Sequence, residues 1–204
     1  LISSPNNTHF SYLKKLEKFN GYIFCEKPPV VLDSELKKLK KLKIRNKRKI
    51  YFDFNFRFSK INSLFEQIVK DKRLGKIINI NIISAHGLAF KKEYKKSWRA
   101  YGNPHSLLET VTVHFIDMLN FHFGKPKKIQ YYPKLVAKNG TAYDTVNLNM
   151  TYNNDINVQI LNSYASPLVN EISILTSNSW ITLRKNELTI YHPRDTFDKN
   201  GLFT

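Results

Sequence analysis

Apolar positions along this chain switch between two periods. Phe10, Leu13, Leu16 and Phe19 recur at threes and predict a helix over residues 6–18, with Asn7 or Thr8 as its cap. Gly21 stops it, and Tyr22 to Cys25 form a short unbroken apolar run that reads as a buried strand. Asp33 is placed to cap a helix from Ser34 to about Lys43, with Leu36, Leu39 and Leu42 as its core stripe. Lys49 to Phe58 alternates aromatic and polar residues, which predicts a strand. Helix, strand, helix, strand over the first 58 residues predicts a parallel sheet with crossover helices.

Beyond that point the period changes. Ile61, Leu64, Phe65, Ile68 and Val69 share one helical face, closed by Leu74-Gly75, and Lys76–Ser84 reads as an isoleucine-rich strand. Residues 85–106 are loop-like, and a helix follows from about Ser106 to Phe123, closed by Gly124-Lys-Pro126. Leu107, Val111, Met118, Leu119 and Phe123 read as its core face. Strands are then predicted at about 127–137, 143–152, 156–165, 169–177, 179–184 and 187–192. Asn139-Gly140, Asn153-Asn154-Asp155 and Lys185-Asn186 suit tight hairpins between them. The expected fold class is therefore α/β plus α+β: a parallel unit over 1–58, then a domain over 59–204 with a large, mostly antiparallel sheet and a few helices.

Composition narrows the setting. At 42% hydrophobic residues the chain can build a core, and no apolar run reaches the roughly 18 residues of a membrane helix. The single cysteine, Cys25, lies in the apolar strand and reads as a small buried thiol, in keeping with a reducing cytoplasm. The net charge of +17 is carried mostly by lysine in a chain rich in Ile, Asn, Tyr and Phe, the mixture that an AT-rich genome produces. A basic run over 37–49 leaves nucleic acid as a weaker reading, because no aromatic platform is interleaved with it. Scattered histidines without paired acids give no metal-site spacing. The chain opens on Leu1-Ile-Ser-Ser-Pro5, which reads as the end of a strand and suggests part of a longer polypeptide.

The candidate chemistry begins at Gly21-Tyr-Ile-Phe-Cys-Glu-Lys-Pro-Pro29. A buried strand there ends in an acid, a base and a proline, and ligands in open α/β sheets bind outside the carboxyl ends of strands. Ser4-Pro5-Asn6-Asn7-Thr8-His9 precedes the first helix, and His114-Phe-Ile-Asp117 lies in the long later helix. With Phe56-Arg57-Phe58 and Leu74-Gly75-Lys76-Ile77, this ordered set resembles the glucose–fructose oxidoreductase/inositol dehydrogenase (Gfo/Idh/MocA) family over essentially the whole chain.

The resemblance implies that residues 1–58 are the C-terminal half of a Rossmann-like NAD(P)-binding domain and 59–204 a substrate and oligomerisation domain. It implies hydride transfer between NAD or NADP and a hydroxyl carbon of a sugar, nucleotide sugar or cyclitol, with surface-polysaccharide metabolism as one setting. Lys27 and His114 would be catalytic. Pro5, Asn6, His9, Glu26, Lys27, Pro28, Trp98 and Arg99 would line the cofactor. A homo-oligomer through the antiparallel sheet is expected, since such a face needs cover. Two departures stand out. Thr110 occupies the position, four before His114, where the family usually carries an aspartate; Glu109 shares a face with His114 only if the helix start is irregular, and Asp117 at i+3 is a candidate to orient the ring. None of the seven glycines forms G-x-G-x-x-G, so these 204 residues alone are expected to bind dinucleotide weakly. The alternative is a non-catalytic member of the same fold that acts in interaction or oligomerisation.

Overall fold

The computed structural model describes residues 1–42, 49–184, 187–192 and 199–202. Strand β1 (Ile23–Glu26) pairs in parallel with β2 (Ile50–Asp53), in a register that sets Ile23 against Ile50 and Glu26 against Asp53. Ile2 adds a parallel bridge to Cys25: its N–H donates to the Phe24 carbonyl and its carbonyl accepts from Glu26, each at 2.8 Å. Helix α1 (His9–Lys15) connects Ile2 to β1, and α2 (Asp33–Lys41) connects β1 to β2. Ile2, Leu13, Ile23 and Cys25 form a small core with Leu16, Leu39, Ile50 and Phe52 packed against it. Burial pushes the Cys25 thiol up to about 11, as expected of an inert buried sulfur.

The remainder builds a second, larger core. Helix α3 (Lys60–Lys70) leads into β3 (Ile77–Ala85), and a short helix α4 (Trp98–Tyr101) precedes α5 (Val113–Phe123). Strands β4 (Lys128–Lys134), β5 (Thr145–Thr151), β6 (Asn157–Ser163), β7 (Val169–Thr176), β8 (Trp180–Arg184) and β9 (Glu187–Tyr191) complete the described elements. With β3 they form a seven-stranded sheet in the order β4-β5-β6-β3-β7-β8-β9. Only β3 and β6 run parallel, so the sheet is mixed but mostly antiparallel. One face turns Ile80, Ile82, Val146, Leu148, Val158, Ile160, Ile172 and Ile174 onto Phe65 and Ile68 of α3 and Phe115, Met118 and Leu119 of α5. The opposite face carries an amide and hydroxyl row, with Asn149, Gln159, Asn81, Ser173 and Thr182 side by side in register. Among the described residues no helix is long and apolar enough to cross a membrane.

Several boundaries differ from the sequence expectation for identifiable reasons. The predicted strand over 49–58 stops at Asp53, where the Phe54 N–H bonds the Phe52 carbonyl at 2.8 Å and turns the chain into a 3₁₀ segment, Asn55–Phe58. Neither Asn7 nor Thr8 caps α1 through its side chain; Asn6–Thr8 is a 3₁₀ turn in which the Thr8 hydroxyl donates to the Pro5 carbonyl. Asp33 lies inside the first turn of α2, paired with Lys37, rather than at its cap. Helix α3 ends at Lys70, and a further 3₁₀ turn runs to Gly75, whose φ of 86° is the left-handed region that favours glycine. Asn139-Gly140 is not a tight hairpin. The loop from Lys134 to Thr145 is held by the buried Asp144 carboxylate, which accepts from Val136 and Ala137 N–H at 2.8 Å each. Gly140 sits so close to α4 that a Cβ would stand 2.3 Å from the Ala100 carbonyl oxygen. Lys185-Asn186 and residues 43–48 of the basic run lie outside the described residues.

Ile160, fully buried mid-sheet, tests this packing. Ile160→Ala should cost about 2–5 kcal/mol in chemical denaturation.

Candidate active site

The site is built where the C-terminal ends of β1 and β2 meet the start of the long helix. Strand β1 ends at Glu26 and delivers Lys27, whose peptide bond to Pro28 is cis. His9, 1% exposed, fixes this exit: one ring nitrogen faces the Pro28 carbonyl and the other the Ser4 carbonyl, each at 2.8 Å. Both nitrogens are thus engaged by backbone, so His9 shapes the loops that carry Pro5 and Pro28.

The Lys27 ammonium crosses to the long helix and donates to the Thr110 carbonyl. That carbonyl lies in a π-helical stretch, Leu108–Thr112, in which Val113 N–H bonds back five residues to the Leu108 carbonyl. Such widened turns are frequent at functional sites. Burial lowers the proton affinity of Lys27 below that of an ordinary lysine; Glu26 and Asp53 oppose this and Arg99 adds to it. The Arg99 carbonyl accepts from the Ser106 hydroxyl at 3.0 Å, one turn before Thr110, and its guanidinium lies 4.6 Å from the centre of the exposed Trp98 ring.

His114 is 8% exposed and lies flat against Phe56, with ring centres 4.6 Å apart. Its Nδ1 is buried without a hydrogen-bond partner, so no protein hydrogen bond at that atom fixes the tautomer. Burial, reinforced by the Lys27 ammonium, pushes its pKa down to about 4, against the pull of Asp53 and Asp117. The imidazole is therefore neutral at neutral pH and able to accept a proton.

The supporting acids are arranged otherwise than expected. Asp117 does not hold the His114 ring: its two oxygens accept from Arg57 Nε at 2.7 Å and Nη2 at 2.6 Å. The bidentate fork is the stronger claim on that carboxylate. The irregular helix start that Glu109 required is present, but its oxygens accept from Asn6 at 2.8 Å and Asn103 at 2.6 Å. Burial raises the Glu109 carboxyl above its ordinary range, and the Asn6 bond opposes the rise. The Thr110 hydroxyl donates into its own helix, to the Ser106 carbonyl at 2.6 Å, and lies 3.2 Å from the Tyr164 hydroxyl.

The structure thus brings Glu26, Lys27, Arg99, Thr110 and His114 together, and sets Asn6 and Glu109 beside them as a second cluster. Two contributors escaped the sequence reading. Tyr164 follows β6 and carries no local signal. Asp53 does carry one, since it is a lone acid within the aromatic run Tyr51-Phe-Asp-Phe54. A cavity of about 420 Å³ lies alongside, lined by Phe56, Ile61, Leu64, Phe115, Leu168 and Leu183 among others. It shares Phe56 with the site, but Lys27 and His114 do not line it.

Residues 64–182 match the GFO/IDH/MocA C-terminal domain, more than half of the chain. The chain belongs to this family. An inositol 2-dehydrogenase of Rhizobium meliloti is 29% identical over 126 residues, covering 61% of this chain and 36% of that protein. The chain spans about a third of the length of the curated relatives it matches. Among solved structures, an inositol dehydrogenase homologue from Azotobacter vinelandii, complexed with NADH and myo-inositol, superposes with a TM-score of 0.76 at 18% identity, covering 93% of this chain and 54% of that one. An oxidoreductase from Agrobacterium radiobacter in complex with NAD+, L-tartaric acid and magnesium gives 0.77 at 16% identity, covering 97% and 61%. At these identities the structural matches establish the Gfo/Idh/MocA fold.

The depressed His114 has a consequence for stability. Between its ordinary value of 6.5 and about 4, the unfolded chain binds more protons than the folded one. The stability due to a neutral His114 is therefore complete above 6.5 and lost as pH falls towards 4. His114→Gln should flatten the pH dependence of urea midpoints across that window.

Proposed function

We propose that this Gfo/Idh/MocA chain is part of an NAD(P)-dependent oxidoreductase that moves hydride to or from a hydroxyl carbon of a sugar, nucleotide sugar or cyclitol. The observation that carries this reading is that the Lys27 ammonium, delivered by the end of β1, bonds the Thr110 carbonyl four residues before the buried His114, whose proton affinity it lowers. The dehydrogenase and dinucleotide-bound relatives agree with it. In this reading residues 1–58 belong to the nucleotide-binding domain and 59–204 hold substrate.

The residues present fit a nicotinamide at this edge. Among the described residues the Lys27 ammonium meets one acceptor for its three donors and the His114 Nδ1 has no partner, while Trp98 is exposed beside Arg99. When bound, the nicotinamide supplies the hydride acceptor or donor. Lys27 and Arg99 offer positive charge there, and the Pro5–Asn6 turn and Pro28 frame the exit of β1, held in place by His9.

In the oxidising direction the substrate O–H proton passes to the imidazole of His114 as the carbon loses hydride. Lys27 donates to the same oxygen and stabilises the charge that develops on it. Phe56 covers one face of the His114 ring and keeps water from it. In the reducing direction His114 returns the proton.

A cytoplasmic enzyme that associates through the open face of its seven-stranded sheet completes the proposal. Leu175 and Trp180 are exposed on that face amid its amide row. The non-catalytic alternative draws on Thr110, whose hydroxyl is tied to its own helix where an acid is usual.

Turnover separates the two. In the complete protein, given NAD or NADP and a panel of polyols and sugars, Lys27→Ala should lower kcat by about 10²–10³-fold. Its melting temperature should stay near that of the parent. Retained activity rejects Lys27 as catalytic, and a parent inactive on every substrate favours the interaction protein.

A further inference from the structure

We propose that Asp53 is a positioning residue of this site, the carboxylate that offsets the charge of Lys27 and of His114 once His114 takes up a proton. Its purpose rests on the dehydrogenase reading, although the observations do not.

The first observation is register. Asp53 ends β2 directly opposite Glu26, which ends β1, so two acids leave the parallel sheet side by side where Lys27 begins. The second is the path of the chain after it. The Phe54 N–H closes on the Phe52 carbonyl, and the 3₁₀ turn that follows lays Phe56 on the His114 ring and Arg57 on Asp117. Asp53 is thus carried into the site by the same segment that covers His114.

The third is its freedom. Asp117, Glu109, Asp144 and Asp71 are all held by hydrogen bonds. Asp53 is half-buried, and among the described residues no hydrogen bond or ion pair holds its carboxylate. The charged neighbours of His114 are Lys27, Asp53 and Asp117, and those of Lys27 are Glu26, Arg99 and Asp53. Asp53 is common to both sets, whereas the Asp117 carboxylate is committed to Arg57.

Chemistry gives that position a use. Each oxidative turnover places a proton on His114 beside the Lys27 ammonium, and two like charges in a half-buried site oppose one another. On the helix side, Thr110 stands one turn before His114 with its hydroxyl tied to the Ser106 carbonyl, and Asp117 is bound by Arg57. Asp53 supplies negative charge from the strand side of the site.

The test is read on Lys27 in the chain as it stands. Competitive acylation followed by mass spectrometry gives the rate at each lysine, and that rate follows the neutral amine fraction. Asp53→Asn, isosteric and removing no hydrogen bond, should raise the Lys27 rate at mildly alkaline pH by about threefold. Asp53→Glu should restore the parental rate. An unchanged Lys27 rate in the Asn variant overturns the proposal, as does an acceleration shared by all lysines, which would report a loosened fold. Turnover is not read, so a failure here leaves the dehydrogenase reading standing, and an inactive enzyme leaves this result intact.

Discussion

The Lys27 ammonium bonded to the Thr110 carbonyl is the contact on which the site depends. It joins the end of a two-stranded parallel sheet to a helix that packs on a seven-stranded one. A lysine removed from water must keep an acceptor or lose its charge. Here the acceptor is a backbone oxygen in a π-helical turn, with Glu26 and Asp53 opposing the cost of burial. The ammonium so held is one of the two influences that keep His114 neutral, the other being burial. Asn6 with Glu109 and Arg57 with Asp117 make the same crossing nearby. The N-terminal unit is thus keyed to the helix by polar contacts that flank Lys27 and His114.

Much of this frame was legible in the sequence because it rests on local periodicity. The alternation Val146, Leu148, Met150 against Asn147 and Asn149 marks β5 and its buried face without further information. The strand-end position of Glu26-Lys27 and the helix bearing His114 were readable in the same way. What was not legible depends on partners distant in sequence. Asn55–Phe58 continues the aromatic alternation of β2, yet it leaves the sheet. Phe56 stacks on a ring 58 positions later, and Arg57 bonds a carboxylate 60 positions later. Asp117 was read as a partner for His114 because i+3 spacing permits it, and the arginine that claims it cannot be seen from the helix alone. The π-helical turn likewise leaves no mark in the sequence.

The same long-range polar contacts explain why the carboxylate geometry shifted. One extra residue in the turn at Leu108–Thr112 rotates Glu109 relative to an ideal helix, but an acid is placed by its donors as much as by its backbone. Two amide groups, from Asn6 and Asn103, satisfy both of its oxygens. Glu109 therefore braces the Pro5–Asn6 turn to the helix, and neither Glu109 nor Asp117 is free to turn towards His114.

That vacancy weighs on the choice between enzyme and scaffold. A chain that keeps this fold only for interaction gains nothing from a buried imidazole whose Nδ1, among the described residues, has no partner. An unsatisfied buried polar group costs about 1–3 kcal/mol, and an apolar residue of similar shape removes the cost. Buried or half-buried carboxylates nearby do find donors: Asp144 has three and Glu109 two. Among the described residues three buried side-chain atoms lack a partner, Tyr94 Oη, Asn162 Oδ1 and His114 Nδ1, and the last belongs to the ring on which the Lys27 charge acts, where a substrate hydroxyl would complete it. A buried imidazole left incomplete within reach of a lysine's charge is what a site awaiting a ligand requires, and it argues for chemistry there despite the threonine at position 110.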